Sequence, residues 1–581
     1  MAGYLGITPP IDDSEPSDAD QACSEALVQT LKSFGVYESD AGQAARRRLV
    51  ADLEHEAQEW CADEWALQGG SRDDAPRCEL RTFGSVRLDV HAPDADVDVV
   101  LVAPRHCTRN AFFERLARRL ERRPDVGPGR VMPVRDAYTP VVKLRAGSTD
   151  VDLLFAPLQR AALPEPLDVM DDAILEGLDD FAVRSLNGAR VAELLLKLVP
   201  DVAAFKVALR AVKRWARQKG LYSNVLGLLG GVNCAILVAF VCQRFPKAAP
   251  STVVAKFFRV FDAWDWPNPV VLTPPSAEDA RAWNPRLNPR DRAHLAPIVT
   301  PAHPTMNSSY NVGEPQLRAI RSELGLGMHA TRRVEQLARS GATPRQLRKA
   351  WRKLFAPSDF FVDYRHYVQV DVSAADDDAL RRWTAWCESR LRNLVVALDS
   401  PGHVKARVYA LPLEREALVV SADDADDGAE PRRVKKTRSF FVALAFEQHV
   451  QHIDLTPCVR EFSTRVNSWA HRAPGMDLEL THTPQKNLPE DCLPARDASD
   501  DDGSASAPSD GEGDDGSEEA ASAAIPARDA ASDEPSDGRA VDGDDGPATD
   551  DDVSDGPPKP LSWAERLKRS AEPTAKRMCT S

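Results

Sequence analysis

Asp96 and Asp98 stand two residues apart at the mouth of an apolar run, Val97 and Val99 to Ala103, in "FGSVRLDVHAPDADVDVVLVAP". In a strand, residues i and i+2 share a face, so both carboxylates point the same way. Unpaired charges at the edge of an apolar sheet are costly. A divalent cation bound through oxygen, magnesium or manganese, would neutralise them. A third carboxylate would complete a two-metal site, in which an attacking hydroxyl is activated and a leaving phosphate stabilised. "TDVDLLFA" offers two candidates on one strand face, Asp150 and Asp152, and periodicity does not choose between them. "GS" at 84–85 reads as a turn whose backbone N–H groups and Ser85 could hold a phosphate. Taken alone, a D-x-D pair is more often a solvated strand end than a metal site.

Residues 80–158 have the pattern of an α/β unit. Strand-like runs fall at Val97–Ala103, Pro140–Leu144 and Val151–Ala156, with a helix at Asn110–Arg122. "RAGST" between the last two strands marks a hairpin turn. Apolar spacing predicts helices over 20–66 and through 168–262. In "VAAFKVALRAVKRWARQKG", Phe205, Leu209, Val212 and Ala216 align, and Gly220 suits a helix C-terminus. "NVLGLLGGVNCAILVAFVCQRF" is apolar almost all round and reads as a core helix. A proline-rich passage, 265–292, is expected to run over the surface. From about residue 330 the order β-α-β-β-α-β matches the split arrangement of ferredoxin-like domains, with an acidic loop-like insert, "SADDADDGAEPRRVKK", between the middle strands.

The net charge of −16 is local: residues 501–560 hold 19 Asp and Glu against 3 Lys and Arg, and the remainder balances at 70 of each sign. A basic surface for nucleic acid must therefore be a patch. Beyond residue 493, Asp, Ser, Gly, Ala and Pro dominate, a composition expected to stay disordered. No apolar run is long enough for a bilayer, and the N-terminus lacks the pattern of a secretory leader. The ten cysteines contain no C-x-x-C pair; this argues against a zinc site and against a disulfide framework, and for a reducing compartment.

The stretch around Asp96 and Asp98 closely resembles the catalytic motif of the eukaryotic nuclear poly(A) polymerases, polymerase-beta-like nucleotidyltransferases. "YLGITPPI", "VVKLRAGSTDVDLLFA", "SLNGARV", "ALRAVKRWARQKGLYSNVLGLLGGVNCAILVA", "WDWPNPV" and "NPRDRAHLAPIVTPAHPTMNSSYNV" resemble that family in order and spacing. The likeness is strong to about residue 313 and weaker to about 485. It implies an α+β architecture: an N-terminal helical segment (1–79), a nucleotidyltransferase palm (80–160), a central helical domain (161–328), a ferredoxin-like RNA-binding domain (329–487), a disordered acidic linker (493–561) and a basic tail (562–581).

The same resemblance implies addition of AMP from ATP to RNA 3′ ends with two Mg2+ or Mn2+ ions. Asp96, Asp98 and Asp152 would hold the metals, Asp152 rather than Asp150 because it directly precedes "LLFA". Phe83, Gly84 and Ser85 would line the triphosphate, Lys213 would meet phosphate, and Tyr222 the base and ribose. Gly231 and Val232 would let the backbone approach adenine, and Asn187 is a further nucleotide contact. From the residues alone, Lys213 and Tyr222 could instead decorate a solvent face, and Gly230 and Gly231 permit helix packing.

Arg432, Arg433, Lys435 and Lys436 offer phosphate contacts for RNA. A nuclear monomer working with 3′-end processing factors is expected, with the cytoplasm as the other location and "RLKRSAEPTAKR" as an import signal. Four positions depart from the family: Asp89 where glycine is usual, Val86 for an aromatic residue, Ala92 for a small hydroxyl residue, and Arg217 for lysine. A carboxylate at 89 would weaken nucleotide binding if it faced the triphosphate. The alternatives are a uridylyl or less selective nucleotidyltransferase, and a catalytically silent RNA-binding scaffold.

Overall fold

The chain opens on two helices, α1 (Asp18–Ser33) and α2 (Asp40–Ala66). Ser17 starts the first with a reciprocal cap, its hydroxyl accepting from the Asp20 N–H while the Asp20 carboxylate accepts from the Ser17 N–H. This computed structural model describes residues 7–274, 281–399, 403–419, 433–447 and 453–492. The acidic linker, the basic tail and most of the acidic insert lie outside the described residues.

The first sheet is built from β1 (Glu79–Thr82), β2 (Val97–Ala103), β3 (Val131–Val134), β4 (Val141–Ala146) and β5 (Thr149–Pro157), in the order β1-β2-β5-β4-β3. Between β1 and β2 lies a single helical turn, α3 (Gly84–Arg87). Between β2 and β3, α4 (Arg109–Ala111) runs through a π turn (Phe112–Leu116) into α5 (Ala117–Glu121). β2 and β5 are parallel neighbours; every other pair is antiparallel. The hairpin expected at 140–156 is present. The short strands β1 and β3 were not legible as strands in the sequence; β3 contains Pro133 and carries no fully buried residue.

Alternation divides β2 and β5 between two cores. Val97, Val99, Leu101, Val151, Leu153 and Phe155 face α2 and the α4–α5 helix, where Phe155 stacks on Phe112 at 4.7 Å. Val100, Val102, Leu154 and Ala156 face the opposite way, toward α6 (Asp180–Leu198). A sheet covered on both faces gives the near-continuous apolar runs seen here.

The central helices follow as α7 (Val202–Gln218), α8 (Gly231–Arg244) and α9 (Pro250–Asp262). Gly220 takes φ +65° just past α7, as expected of a helix terminator. The expected core helix is shorter than its apolar stretch: 224–230 is a turn, Gly227 has φ +78°, and the Gly230 N–H donates to the Asn233 side chain at 2.6 Å. The proline-rich passage is only partly superficial. Val270 and Leu272 are fully buried, and Val270 bridges Ile298, which follows the short α10 (Pro289–Arg292).

The boundary placed at residue 328/329 falls inside a continuous helix, α11 (Glu314–Arg339), which packs on α9. Gly327 makes that approach possible, since a β-carbon there would lie 2.3 Å from the Phe258 ring. α12 (Pro344–Leu354) then returns to the N-terminal helix, with the Trp351 indole donating to the Cys23 carbonyl at 3.2 Å. Both helices escaped the sequence reading because their apolar faces are completed by segments that are not their chain neighbours, α9 for α11 and α1 for α12.

The last unit holds α13 (Phe360–Asp363), β6 (His366–Ala374), α14 (Asp377–Asp399), β7 (Val404–Val408), β8 (Leu413–Val419), β9 (Arg433–Phe446), α15 (Thr456–Asn467) and β10 (Asp477–Pro484). The order β10-β6-β9-β7 is that of a ferredoxin-like sheet, and β8 pairs with the first half of β9. The basic residues assigned to the loop-like insert therefore continue into a strand from Arg433 onward.

Candidate active site

The alternation that fills the second core also aims the carboxylates. Asp98 and Asp152 share the parity of Val100 and Leu154 and are direct register partners on parallel strands. Asp96 enters from the preceding loop. One carboxylate oxygen from each of the three lies within 4.8 Å of the other two. Asp150 stands away from this group beside Arg145, 3.9 Å distant, so the geometry selects Asp152.

Burial, and then the charges of Asp96 and Asp152, push the Asp98 carboxyl up to about 7. Asp96 reaches solvent, yet its carboxyl sits in the crowded floor of the site and is raised too, by lost solvation and by Asp152. Two carboxyls raised in this way, with Asp152 beside them, suit a hard divalent cation, which would favour their charged forms. The donor set fits magnesium or manganese: oxygen only, converging, and backed by a rigid pair of strands.

Lys143, unnoticed in the sequence, answers part of this charge. It is the antiparallel partner of Asp152 on β4, and its Nζ donates to both carboxylate oxygens at 2.9 and 2.6 Å. The hairpin turn at Gly147–Ser148 fixes that register, so turn length is the signal that could have found it.

The turn before β2 is locked to the same aspartate. Phe83 donates its N–H to the Asp98 carbonyl at 3.0 Å. Gly84 has φ +60°, and a β-carbon there would sit 2.3 Å from Asp98 Oδ2. Glycine is thus required by conformation and by space. Ser85 follows in α3, partly exposed. Phe83 in turn presses on α6, where a β-carbon at Gly188 would fall 2.7 Å from its ring. Next to Gly188, Asn187 faces Met306, and its buried Oδ1 has no hydrogen-bond partner.

Asp89, the departure from the expected glycine, adopts φ +53°, the left-handed region that glycine, asparagine and aspartate tolerate best. Its carboxylate turns to α7, 3.1 Å from Lys206 Nζ and 3.7 Å from Arg210. The added charge is met by two cations. Val86 packs against the first core and Ala92 is half-buried.

Lys213 is buried and donates to the Val90 carbonyl at 3.2 Å, in the segment leading to Asp96. Burial, aided by Arg217, lowers its ammonium to about 8. The Arg217 guanidinium lies 5.1 Å over the Tyr222 ring, and a β-carbon on Gly231 would stand 2.9 Å from the Tyr222 hydroxyl. Tyr222 feels the charges of Asp96 and Asp98. Gly231 and Val232 open α8 at an accessible edge. Lys213 and Tyr222 thus lie near enough to feel the aspartates' charge, and Gly231 stands beside Tyr222.

The RNA-contact expectation fares differently. Arg432 lies outside the described residues. Arg433 and Lys435 pair with Val419 and Ala417 through the strand backbone. The Lys436 ammonium is already engaged, 2.8 Å from Asp377 and 3.3 Å from Glu416.

Comparison with known proteins places three family models along the chain in order. These are the poly(A) polymerase nucleotidyltransferase domain over residues 6–199, the poly(A) polymerase central domain over 204–356, and the poly(A) polymerase predicted RNA binding domain over 359–432. The chain is 36% identical over 501 residues to nuclear poly(A) polymerase 1 of Arabidopsis thaliana, covering 84% of this chain and 66% of that one. It is 35% identical over 499 residues to the poly(A) polymerase of Dictyostelium discoideum, covering 84% and 59%. The chain thus spans somewhat less than two thirds of the length of these relatives. A solved Cid1 poly(U) polymerase aligns at TM-score 0.38 and 14% identity, over 59% of this chain and 98% of that one.

Proposed function

Since the chain belongs to the poly(A) polymerase family, we propose that it transfers AMP from ATP to the 3′ hydroxyl of RNA, without a template, releasing pyrophosphate. The observation that carries this reading is the convergence of Asp96, Asp98 and Asp152 within 4.8 Å, with Gly84 against Asp98 and Lys213 and Tyr222 near enough to feel those charges.

Two magnesium or manganese ions on the three aspartates would supply Lewis acidity at the reacting phosphate and the attacking hydroxyl. The chain's own residues do the positioning. The Phe83–Ser85 turn, locked to Asp98 through Gly84, lines the triphosphate. Lys213 adds positive charge beside it, and its low pKa keeps the ammonium responsive to a phosphate arriving nearby. Tyr222 gives the base a flat surface, and Gly231 with Val232 leaves the backbone open to its edge. The Asn187 Oδ1, buried and unpaired, is an acceptor free for a nucleotide donor. Catalysis of this kind is mostly orientation and electrostatic stabilisation.

The ferredoxin-like unit is read as the RNA-binding surface, the working protein as a nuclear monomer, and target choice as the task of 3′-end processing factors. The test is a primer-extension assay with labelled oligo(A), magnesium or manganese, and each nucleoside triphosphate separately. Extension with ATP alone, absent in Asp98→Ala, supports the reading. Extension with UTP would keep the site and replace the substrate; no extension under either metal would favour a silent RNA-binding protein.

A further inference from the structure

On the opposite face of the catalytic sheet, three separate segments bring Cys61, Cys78, His106 and Cys107 together. Cys61 lies in α2, Cys78 immediately precedes β1, and His106 and Cys107 follow β2. All four are buried; Cys61 and Cys107 have no solvent exposure at all. The Cys61 Sγ lies 3.5 Å from the Cys107 Sγ and 3.5 Å from His106 Nε2. The ligand atoms of these three residues all fall within 4.8 Å of one another. Cys78 packs in the same core beside α2, its thiol donating to Gln58 Oε1 at 3.6 Å, one turn before Cys61.

These separations have a simple geometric meaning. A tetrahedral zinc with Zn–S of about 2.3 Å and Zn–N of about 2.0–2.1 Å has S···S edges of about 3.8 Å and S···N edges of about 3.5 Å. A disulfide would need its sulfurs about 2.05 Å apart. Three cysteines and one histidine also make one of the common closed ligand sets. We propose that Cys61, Cys78, His106 and Cys107 bind one structural zinc ion, which ties α2 to the β1–β2 edge of the catalytic sheet.

Buried thiols with an imidazole are the soft donor set that suits zinc. Zinc would take the three sulfurs as thiolates and release their protons to solvent. His106 Nε2 also lies 3.2 Å from the Cys61 carbonyl, and its Nδ1 is buried without a partner. With four protein ligands and no open position, the ion would hold structure and take no part in the reaction. No C-x-x-C pair announces the site, because each ligand but His106–Cys107 comes from a different element.

The experiment uses the full chain, grown with zinc, washed with chelator to clear the carboxylates and analysed by elemental mass spectrometry. Asp98→Asn serves as a background in which the aspartate site is disabled. About one zinc per chain in both proteins, lost in Cys107→Ser, is the expected result. Cobalt exchanged into the wild type should give thiolate-to-cobalt charge-transfer absorption, which decides the matter even if the serine variant does not fold. Zinc-free protein that gives no such band overturns the proposal. Thiol counting in denaturant then separates the two replacements: all ten thiols free means a hydrogen-bonded thiol core, and two fewer means a disulfide.

Discussion

Replacing Asp98 by asparagine is expected to stabilise the metal-free protein while abolishing nucleotide transfer. Asp98 carries its pKa up from 3.8 to about 7, through burial first and then through Asp96 and Asp152. A carboxylate whose folded pKa lies above its unfolded one costs stability as pH rises. The cost begins near 3.8 and is complete above about 7. Its ceiling is about 4 kcal/mol, from about 1.4 kcal/mol for each of about three pH units. Solvent reaching the carboxyl and relaxation of the loop at Asp96 reduce the expected gain to about 1–3 kcal/mol at pH 8. At pH 5 the wild-type carboxyl is mostly protonated, and the gain should fall to about a third of its pH 8 value. Melting temperature measured with chelator at both pH values provides the assay. Adding magnesium should then raise the wild-type melting temperature and leave the variant unmoved. An Asp98→Asn protein no more stable than wild type at pH 8, or equally stabilised at both pH values, would refute the account of the site as three carboxylates awaiting a cation.

Three further outcomes follow from particular contacts. Gly84→Ala should cost about 1–2 kcal/mol for its positive φ and should lower kcat, because the new methyl group displaces Asp98; unchanged kcat would show that the turn has room the geometry denies. Asp89→Gly should be nearly neutral in melting temperature and Asp89→Ala clearly destabilising, since only alanine both strains φ +53° and abandons Lys206 and Arg210; equal effects would remove backbone conformation as the reason. Lys436→Ala should change RNA affinity little in a salt titration, its ammonium being held by Asp377 and Glu416, and a loss of one unit of salt slope would mean RNA displaces those carboxylates.

Much of the catalytic strand pair was readable because period two and apolar runs are local signals. Val97–Ala103 and Val151–Ala156 announced themselves, and Gly220 ended its helix where expected. The choice of Asp152 over Asp150 was not local. It depends on which residue of β5 stands opposite Asp98, and only strand pairing sets that. Lys143 belongs to the same register and was missed for the same reason. α11 and α12 were passed over because the surfaces that complete them, α9 and α1, lie far off in the chain.

Taken by itself, the sequence determined which residues could do chemistry and on what kind of element: two aspartates at a strand mouth, a third in a hairpin, and a lysine and tyrosine near a helix end. Composition and periodicity carry that information because they act over a few residues. Tertiary structure alone decided what those residues meet. It turned Asp89 toward two cations, engaged Lys436 with carboxylates, and gathered Cys61, Cys78, His106 and Cys107 from three segments. Charge pairing and coordination depend on distance in space, and separation along the chain does not fix that distance.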